Sequence, residues 1–134
     1  MIIRSYKSED YKGVCNLLIK VNMEPPIEES DIKGLCIVAE EKEQIVACIW
    51  ALYGIATYAD IGYFAIHPDF QKTKLGWSLL KIMDGTLKQV GIKRYAFCVE
   101  PDNKYFLDLI DKHRKANRVT KLKDLQFYHR EIGD

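Results

Sequence analysis

The sequence has little that would mark a metal-binding, membrane or secreted protein. It contains no Cys-x-x-Cys pair and no histidine at a metal-ligand spacing from a cysteine. The longest nearly apolar run, Ile45 to Ala59, is interrupted by Gly54 and Thr57 and is shorter than the roughly 20 residues of a membrane span. The opening MIIRSYKSED turns polar too early for a signal peptide. We therefore expect no metal site, no membrane segment and a cytoplasmic location.

The four cysteines of the chain are Cys15, Cys36, Cys48 and Cys98. Each lies within an apolar stretch, where a free thiol packs as a small hydrophobe. We expect structural thiols at these positions, with a disulfide, zinc or a nucleophile as the alternatives.

Neither sign of charge is in excess. Twenty lysines and arginines against nineteen aspartates and glutamates give a net charge of +1, so no global field attracts nucleic acids or anionic membranes. The composition therefore argues against nucleic acid as a partner. One basic cluster offers the alternative, and a solvated helix end is its simpler interpretation: Lys112, Arg114, Lys115, Arg118, Lys121 and Lys123.

Length and periodicity predict one α/β domain over residues 1–134. Helices are expected after a cap at Ser8, from Leu75 to a stop at Gly91, and over residues 101–115, where apolar residues recur at helical spacing. β-rich runs predict strands at IIRSY, LCIVAEE, QIVACIWALYG, ADIGYFAIHP, RYAFCVE and DLQFYHREI. The second and third of these runs are separated only by Lys42 and Glu43, which predicts an antiparallel hairpin. The order β α β β β α β α β implies a mixed sheet.

The stretch HPDFQKTKLGWSLLK joins a predicted strand to a predicted helix. Such a turn presents unbonded backbone N–H groups and the positive end of the helix dipole, to which phosphate binds naturally. Neither G-x-x-x-x-G-K-[ST] nor G-x-G-x-x-G is present, which excludes a P-loop and a dinucleotide fingerprint.

With this turn, the chain resembles the GNAT superfamily of N-acetyltransferases. The family motif Q/R-x-x-G-x-G/A corresponds to QKTKLG, preceded by IGYFAIHPDFQ and followed by WSLLKIMDGTLKQVGIKR. The resemblance covers about the whole chain and implies a single domain with a mixed, mostly antiparallel sheet flanked by helices. It implies acetyl-coenzyme A as cofactor, held by Ala65, Ile66, Gln71, Lys72, Thr73, Lys74, Leu75, Gly76, Trp77 and Asn103.

The sequence departs from the family pattern at two positions. Lys74 replaces the first motif glycine, and Ile110 stands where the family has a tyrosine that protonates the departing thiolate. Tyr105 is the nearest substitute acid, with packing as its alternative. The alternative role of Asn103 is to cap its helix, and the alternative role of Trp77 is packing.

For the chemistry, the resemblance implies Asp60 as the base that deprotonates the amine acceptor, acting through water. Glu100 and His67 are weaker candidates, and a strand-end carboxylate is the simpler interpretation of Asp60. The oxyanion donor of the family is a backbone N–H on the strand before the motif, here that of Ala65 or Ile66.

The loop after the first helix is acidic and lines the acceptor side in this family. Its carboxylates, Glu28 and Glu29 among them, predict a cationic small-molecule or peptide amine as acceptor; a solvated acidic loop is the alternative. Two further possibilities stay open: a degenerate GNAT fold that binds acyl-coenzyme A without catalysis, and a homodimer.

Overall fold

A computed structural model describes residues 1–32, 34–55, 58–98, 103–113, 119–122 and 127–132. Its strands are β1 (Ile2–Ser5), β2 (Leu35–Glu41), β3 (Gln44–Ile55), β4 (Tyr58–Ile66), β5 (Arg94–Cys98), β6 (Val119–Leu122) and β7 (Phe127–Glu131). Its α-helices are α1 (Tyr11–Lys20), α2 (Leu75–Gln89) and α3 (Lys104–His113). None of these helices has the length and apolar character needed to cross a membrane.

The strands follow the order β1-β2-β3-β4-β5-β7-β6 in the sheet. β1 with β2, β2 with β3, β5 with β7 and β6 with β7 pair antiparallel, whereas β4 and β5 pair parallel. A parallel pair requires a crossover connection, and α2 lies between these two strands in the chain. The prediction of a mixed, mostly antiparallel sheet with helices is therefore confirmed.

The chain divides into two compact units. The first comprises Met1–Leu52 and Gly62–Met83, and the second comprises Tyr53–Ile61 and Asp84–Asp134. A single domain over residues 1–134 stays a prediction.

The core of the first unit forms where the apolar face of α1 packs against the sheet. Val14, Leu17 and Leu18 are almost fully buried, together with Val38 of β2 and Cys48 of β3. The predicted helical stripe is thus confirmed, because its spacing places these side chains on one face.

The hairpin between β2 and β3 is also confirmed. The two strands pair from Leu35 opposite Ala51 to Glu41 opposite Gln44. Lys42 and Glu43 form the turn with φ values of 51° and 64°. Positive φ at both central residues matches the type I′ geometry that fits the twist of a two-residue hairpin.

The start of α1 differs from the prediction. Ser8 lies inside a short 3-10 turn and does not cap α1, which begins at Tyr11. The polar group at this end is Asp10, whose carboxylate accepts the Lys7 N–H at 2.8 Å and two hydrogen bonds from Arg4 at 2.7 and 2.8 Å. The hydrogen bonds from Arg4 hold the pKa of Asp10 below its ordinary value.

In the second unit, β5 lies between β4 and β7 in the strand order. Its Tyr95 is fully buried and donates a hydrogen bond of 2.8 Å to Asp84. Phe106 and Ile110 are the buried residues on α3. Their spacing of four confirms the predicted core-facing side of that helix.

Two further expectations need correction. The segment Val119–Leu122 is a strand paired with β7, although no strand was predicted there. Its sequence VTKL lies within the basic cluster and is too short to show a clear alternation. Val90, which the helical spacing predicts on the same face as Leu87, is 46% exposed, because α2 ends at Gln89 and Gly91 turns the chain with a φ of 86°.

Candidate functional site

The turn from β4 to α2 begins with a histidine that serves the backbone. His67 is buried, and its Nδ1 accepts the Asp69 N–H at 3.1 Å. Its own N–H donates to the carbonyl of Val46 at 2.8 Å. The imidazole thus caps the 3-10 turn Pro68–Phe70, a structural hydrogen bond of the kind that makes His67 a weaker candidate for the base.

Two motif side chains hold the turn itself. Gln71 Nε2 donates to the carbonyl of Ile66 at 3.0 Å, so the first residue of the motif closes the end of β4. Thr73 Oγ1 donates to the Phe70 carbonyl at 2.6 Å and accepts the Leu75 N–H at 3.2 Å. Both side chains fix the path of the backbone into α2.

Three other amides of the turn have no acceptor in the described part of the chain. Among the described residues, none accepts a hydrogen bond from the N–H groups of Lys72, Lys74 or Gly76. Lys72 and Lys74 are exposed, whereas Leu75 and Gly76 are buried and Trp77 is half-buried. This donor set stands at the N-terminus of a 15-residue helix, where the partial positive charge favours an anion.

At the end of β4, the two predicted oxyanion donors, the N–H groups of Ala65 and Ile66, point in opposite directions. His67 N–H points at β3, because it donates to Val46, and successive N–H groups of a strand point to opposite sides. The N–H of Ala65 therefore points towards β3, and that of Ile66 points away from it. Consistently, the backbone of Ala65 lies at the Cys48 thiol of β3. Of the two, the Ile66 amide is the one directed away from a strand partner in β3.

The start of α3 holds the residues predicted around the departing thiolate. Asn103 Oδ1 accepts the Phe106 N–H at 3.3 Å, so this side chain caps its own helix. Ile110 is buried. The Tyr105 hydroxyl is buried without a hydrogen-bond partner among the described residues, and burial raises the pKa of Tyr105. Its ring contacts Phe106 edge to face at 4.9 Å.

The predicted base, Asp60, is an exposed residue of β4, opposite Ala96 of β5 in the parallel register. The alternative base Glu100 lies outside the described residues. Exposure suits a carboxylate that works through water, but it is equally the property of an ordinary strand residue.

The acidic loop after α1 exposes three glutamates, Glu24, Glu28 and Glu29. Glu29 begins a short 3-10 turn, and Ser30 Oγ lies 3.4 Å from Glu28 as a hydrogen-bond donor. Within the described part of the chain, no salt bridge involves Glu24 or Glu29. Their negative charge is thus available to a cation in solvent.

Several residues that hold this loop were not predicted. Tyr63 of β4 donates to the Glu24 carbonyl at 3.1 Å, and Tyr11 of α1 donates to the Pro26 carbonyl at 2.8 Å. Trp50 of β3 stacks on Tyr63 with ring centroids 5.1 Å apart. The available signal was Gly62, since a glycine inside a strand often marks a close approach.

Three of the four thiols belong to the described part of the chain, and the Cys98 side chain lies outside it. Cys15, Cys36 and Cys48 are free, and burial raises the pKa of Cys36 to about 12. Burial likewise raises the pKa of Cys48, so both thiols stay protonated at neutral pH. The described residues include no group of three or more metal-ligating side chains.

Comparison with known sequences identifies one family. A sequence model of the acetyltransferase (GNAT) family matches residues 6–113, so the chain belongs to that family. No curated protein sequence matches the chain significantly.

Solved structures share the fold at low sequence identity. The ribosomal-protein-S18-alanine N-acetyltransferase from Escherichia coli has a TM-score of 0.77 and 16% identity, with 99% of this chain and 94% of that chain covered. YncA from Salmonella typhimurium, with its cofactor acetyl-CoA, has a TM-score of 0.76 and 14% identity over 100% and 95% of the chains. The PaiA N-acetyltransferase from Thermoplasma acidophilum, in complex with coenzyme A, has a TM-score of 0.72 and 15% identity over 96% of each chain.

Proposed function

We propose that the protein transfers an acetyl group from acetyl-CoA to a cationic primary amine, which attacks the thioester directly. The observation that carries the proposal is the turn between β4 and α2. The side chains of Gln71 and Thr73 donate hydrogen bonds to backbone carbonyls of this segment. The amides of Lys72, Lys74 and Gly76 have no acceptor among the described residues.

The donor set of the turn fits a pyrophosphate. Backbone N–H groups at a helix N-terminus bind phosphate oxygens without any charged side chain. Lys72 and Lys74 are exposed and add positive charge beside these amides. Lys74 in place of the motif glycine is therefore compatible with the proposal, because the amide of a lysine donates as well as that of glycine.

Acetyl-CoA supplies a thioester whose thiol, with a pKa near 8.5, leaves without a strong acid. The Ile66 N–H, which points away from β3, is the proposed donor to the negative charge that develops on the carbonyl oxygen. Asp60 is the proposed base, since an alkyl ammonium with a pKa near 10.4 must lose its proton before it attacks. The Tyr105 hydroxyl is the proposed proton donor to the thiolate, and its raised pKa keeps it protonated at neutral pH.

The acidic loop is the basis for a cationic acceptor. Glu24, Glu28 and Glu29 are exposed, so their field acts on an approaching ammonium and weakens as salt screens it. For an amine found by screening, we expect its KM to rise between low salt and roughly 0.3 M salt. It should rise again when Glu28 and Glu29 are both changed to Gln.

The test separates binding from catalysis. Calorimetric titration with acetyl-CoA should give a Kd of micromolar order or tighter, and free-thiol release should appear with a lysine peptide, a polyamine or an aminoglycoside. Absence of binding would overturn the proposal. Binding without thiol release on any amine would favour the non-catalytic acyl-CoA-binding alternative.

A further inference from the structure

The loop from Asn22 to Ile32 has few backbone hydrogen bonds of its own. Asn22 and Met23 bond back to α1, and Ile32 bonds to Glu29 at 3.1 Å. Pro25 and Pro26 have no N–H to offer. The middle of this loop is held by two tyrosine hydroxyls, Tyr63 to the Glu24 carbonyl and Tyr11 to the Pro26 carbonyl.

Tyr63 is itself held in place by a stack. Its ring lies on the Trp50 indole with an interplanar angle of 18° and a centroid distance of 5.1 Å. A Cβ atom added at Gly62 would meet the same indole at 2.8 Å, a distance at which the indole must move. Glycine at position 62 thus makes room for Trp50, and Trp50 orients Tyr63.

The stack also marks an irregular point in β4. Successive side chains of a regular strand point to opposite faces, yet the Gly62 position and the Tyr63 ring both face Trp50. From this position the Tyr63 hydroxyl reaches the acidic loop at the Glu24 carbonyl.

We propose that Tyr63 is a positioning residue that fixes the acidic loop through the Glu24 carbonyl and thereby sets the affinity for the amine acceptor, an inference that rests on the proposed function. Tyr63 bonds to the loop through the backbone carbonyl of Glu24. It lies three residues before Ile66, so the loop is tied to the strand that carries the proposed oxyanion donor. Tyr11 ties the same loop to α1 instead.

The experiment compares two variants that each lose one tyrosine hydroxyl. Tyr63→Phe removes the bond to Glu24 and keeps an aromatic ring against Trp50, whereas Tyr95→Phe removes a buried bond to Asp84 in the other unit. In Tyr63→Phe, the KM for the amine should rise about fivefold, as expected for one hydrogen bond, with the KM for acetyl-CoA and kcat unchanged. Tyr95→Phe should leave both KM values unchanged. Gly62→Ala should reproduce the Tyr63→Phe result, because it displaces the indole.

Hydrogen exchange adds a readout that needs no turnover. Amides in residues 22–32 should exchange faster in Tyr63→Phe and Gly62→Ala than in the parent and in Tyr95→Phe. Unchanged exchange in this segment, an unchanged amine KM, or KM values for amine and acetyl-CoA that rise together would each overturn the proposal. A parent protein without thiol release would instead overturn the proposed function, and the acceptor role of Tyr63 with it.

Discussion

The turn at residues 67–77 and the start of α3 both carry residues assigned to the cofactor by the family resemblance, but they are built in different ways. In the turn, the side chains of His67, Gln71 and Thr73 form hydrogen bonds with the backbone. The amides of Lys72, Lys74 and Gly76 have no acceptor among the described residues. At α3, Asn103 caps the helix and one side-chain atom, the Tyr105 hydroxyl, is left without a described partner.

This difference indicates which substitutions each region should tolerate. A site made of backbone amides would depend on the chain path and on open space, so we expect it to tolerate Lys74 in place of the motif glycine. A site made of one hydroxyl would depend on that atom alone. Substitutions in the two regions should therefore differ in what they remove.

Gly76→Asp should have the largest effect. Gly76 is buried at the start of α2, and a carboxylate there adds bulk and repels the pyrophosphate, so acetyl-CoA binding should be lost. Gly85→Asp is the matched control in the same helix, because a Cβ at Gly85 meets nothing within 4 Å. Lys74→Gly should keep binding. Calorimetry measures all three; equal affinity in Gly76→Asp and Gly85→Asp would contradict a cofactor site at this turn.

Asp60→Asn should lower turnover on the order of a hundredfold, because the acceptor would lose its base. The affinity for acetyl-CoA should stay the same, because the proposed cofactor site consists of backbone amides and does not include the Asp60 side chain. Timed assays of free-thiol release measure kcat, and calorimetric titration measures the Kd for acetyl-CoA. A kcat within about threefold of the parent would show that Asp60 is an ordinary surface residue of β4 and not the base.

Tyr105→Phe should lower kcat about tenfold, at the low end of general acid catalysis, and leave cofactor affinity intact. The raised pKa of Tyr105 keeps the phenol protonated through neutral pH, so kcat of the parent should fall only as pH rises through that raised value. This alkaline limb should be missing in Tyr105→Phe.

The stability of the same variant gives an independent reading. Burial disfavours the phenolate, so the stability that the neutral phenol provides is complete below its ordinary pKa of about 10 and is lost as pH rises through the raised pKa. At neutral pH, Tyr105→Phe should unfold at equal or higher denaturant, because it removes a buried hydroxyl without a described partner. Tyr95→Phe should instead lose about 1 kcal/mol. A Tyr105→Phe protein as active as the parent would assign Tyr105 to packing alone, and a less stable one would contradict a hydroxyl without a partner.

Asn103→Ala should have the smallest effect, a loss of about 1 kcal/mol in the free energy of unfolding, because the cap of α3 is removed. Asn103→Asp keeps an acceptor for the Phe106 N–H and should restore that stability. Urea unfolding measures both, and acetyl-CoA titration of Asn103→Asp isolates any cofactor contact. Weaker binding in this variant at parental stability would establish the contact that the resemblance implies.

Most of the elements were predictable because their signals are local. Helical spacing identified the buried face of α1, and two polar residues between β-rich runs identified the hairpin at Lys42 and Glu43. β6 was missed because VTKL is short and its pairing partner is β7, which the local pattern does not reveal. The cap at Ser8 was wrong because a 3-10 turn from Ser8 to Asp10 precedes α1, so Asp10 is the residue before the helix.

By itself, the sequence determined the family, the order of most elements and the position of the turn between β4 and α2, the proposed cofactor site, since periodicity and the motif are properties of neighbouring residues. The tertiary structure decided which of two adjacent amides, Ala65 or Ile66, points away from β3, and that Asn103 caps its own helix. It also decided that Tyr63 reaches the Glu24 carbonyl, 39 positions away in the chain. Partners so distant meet only when packing brings them together, and no local pattern encodes their contact.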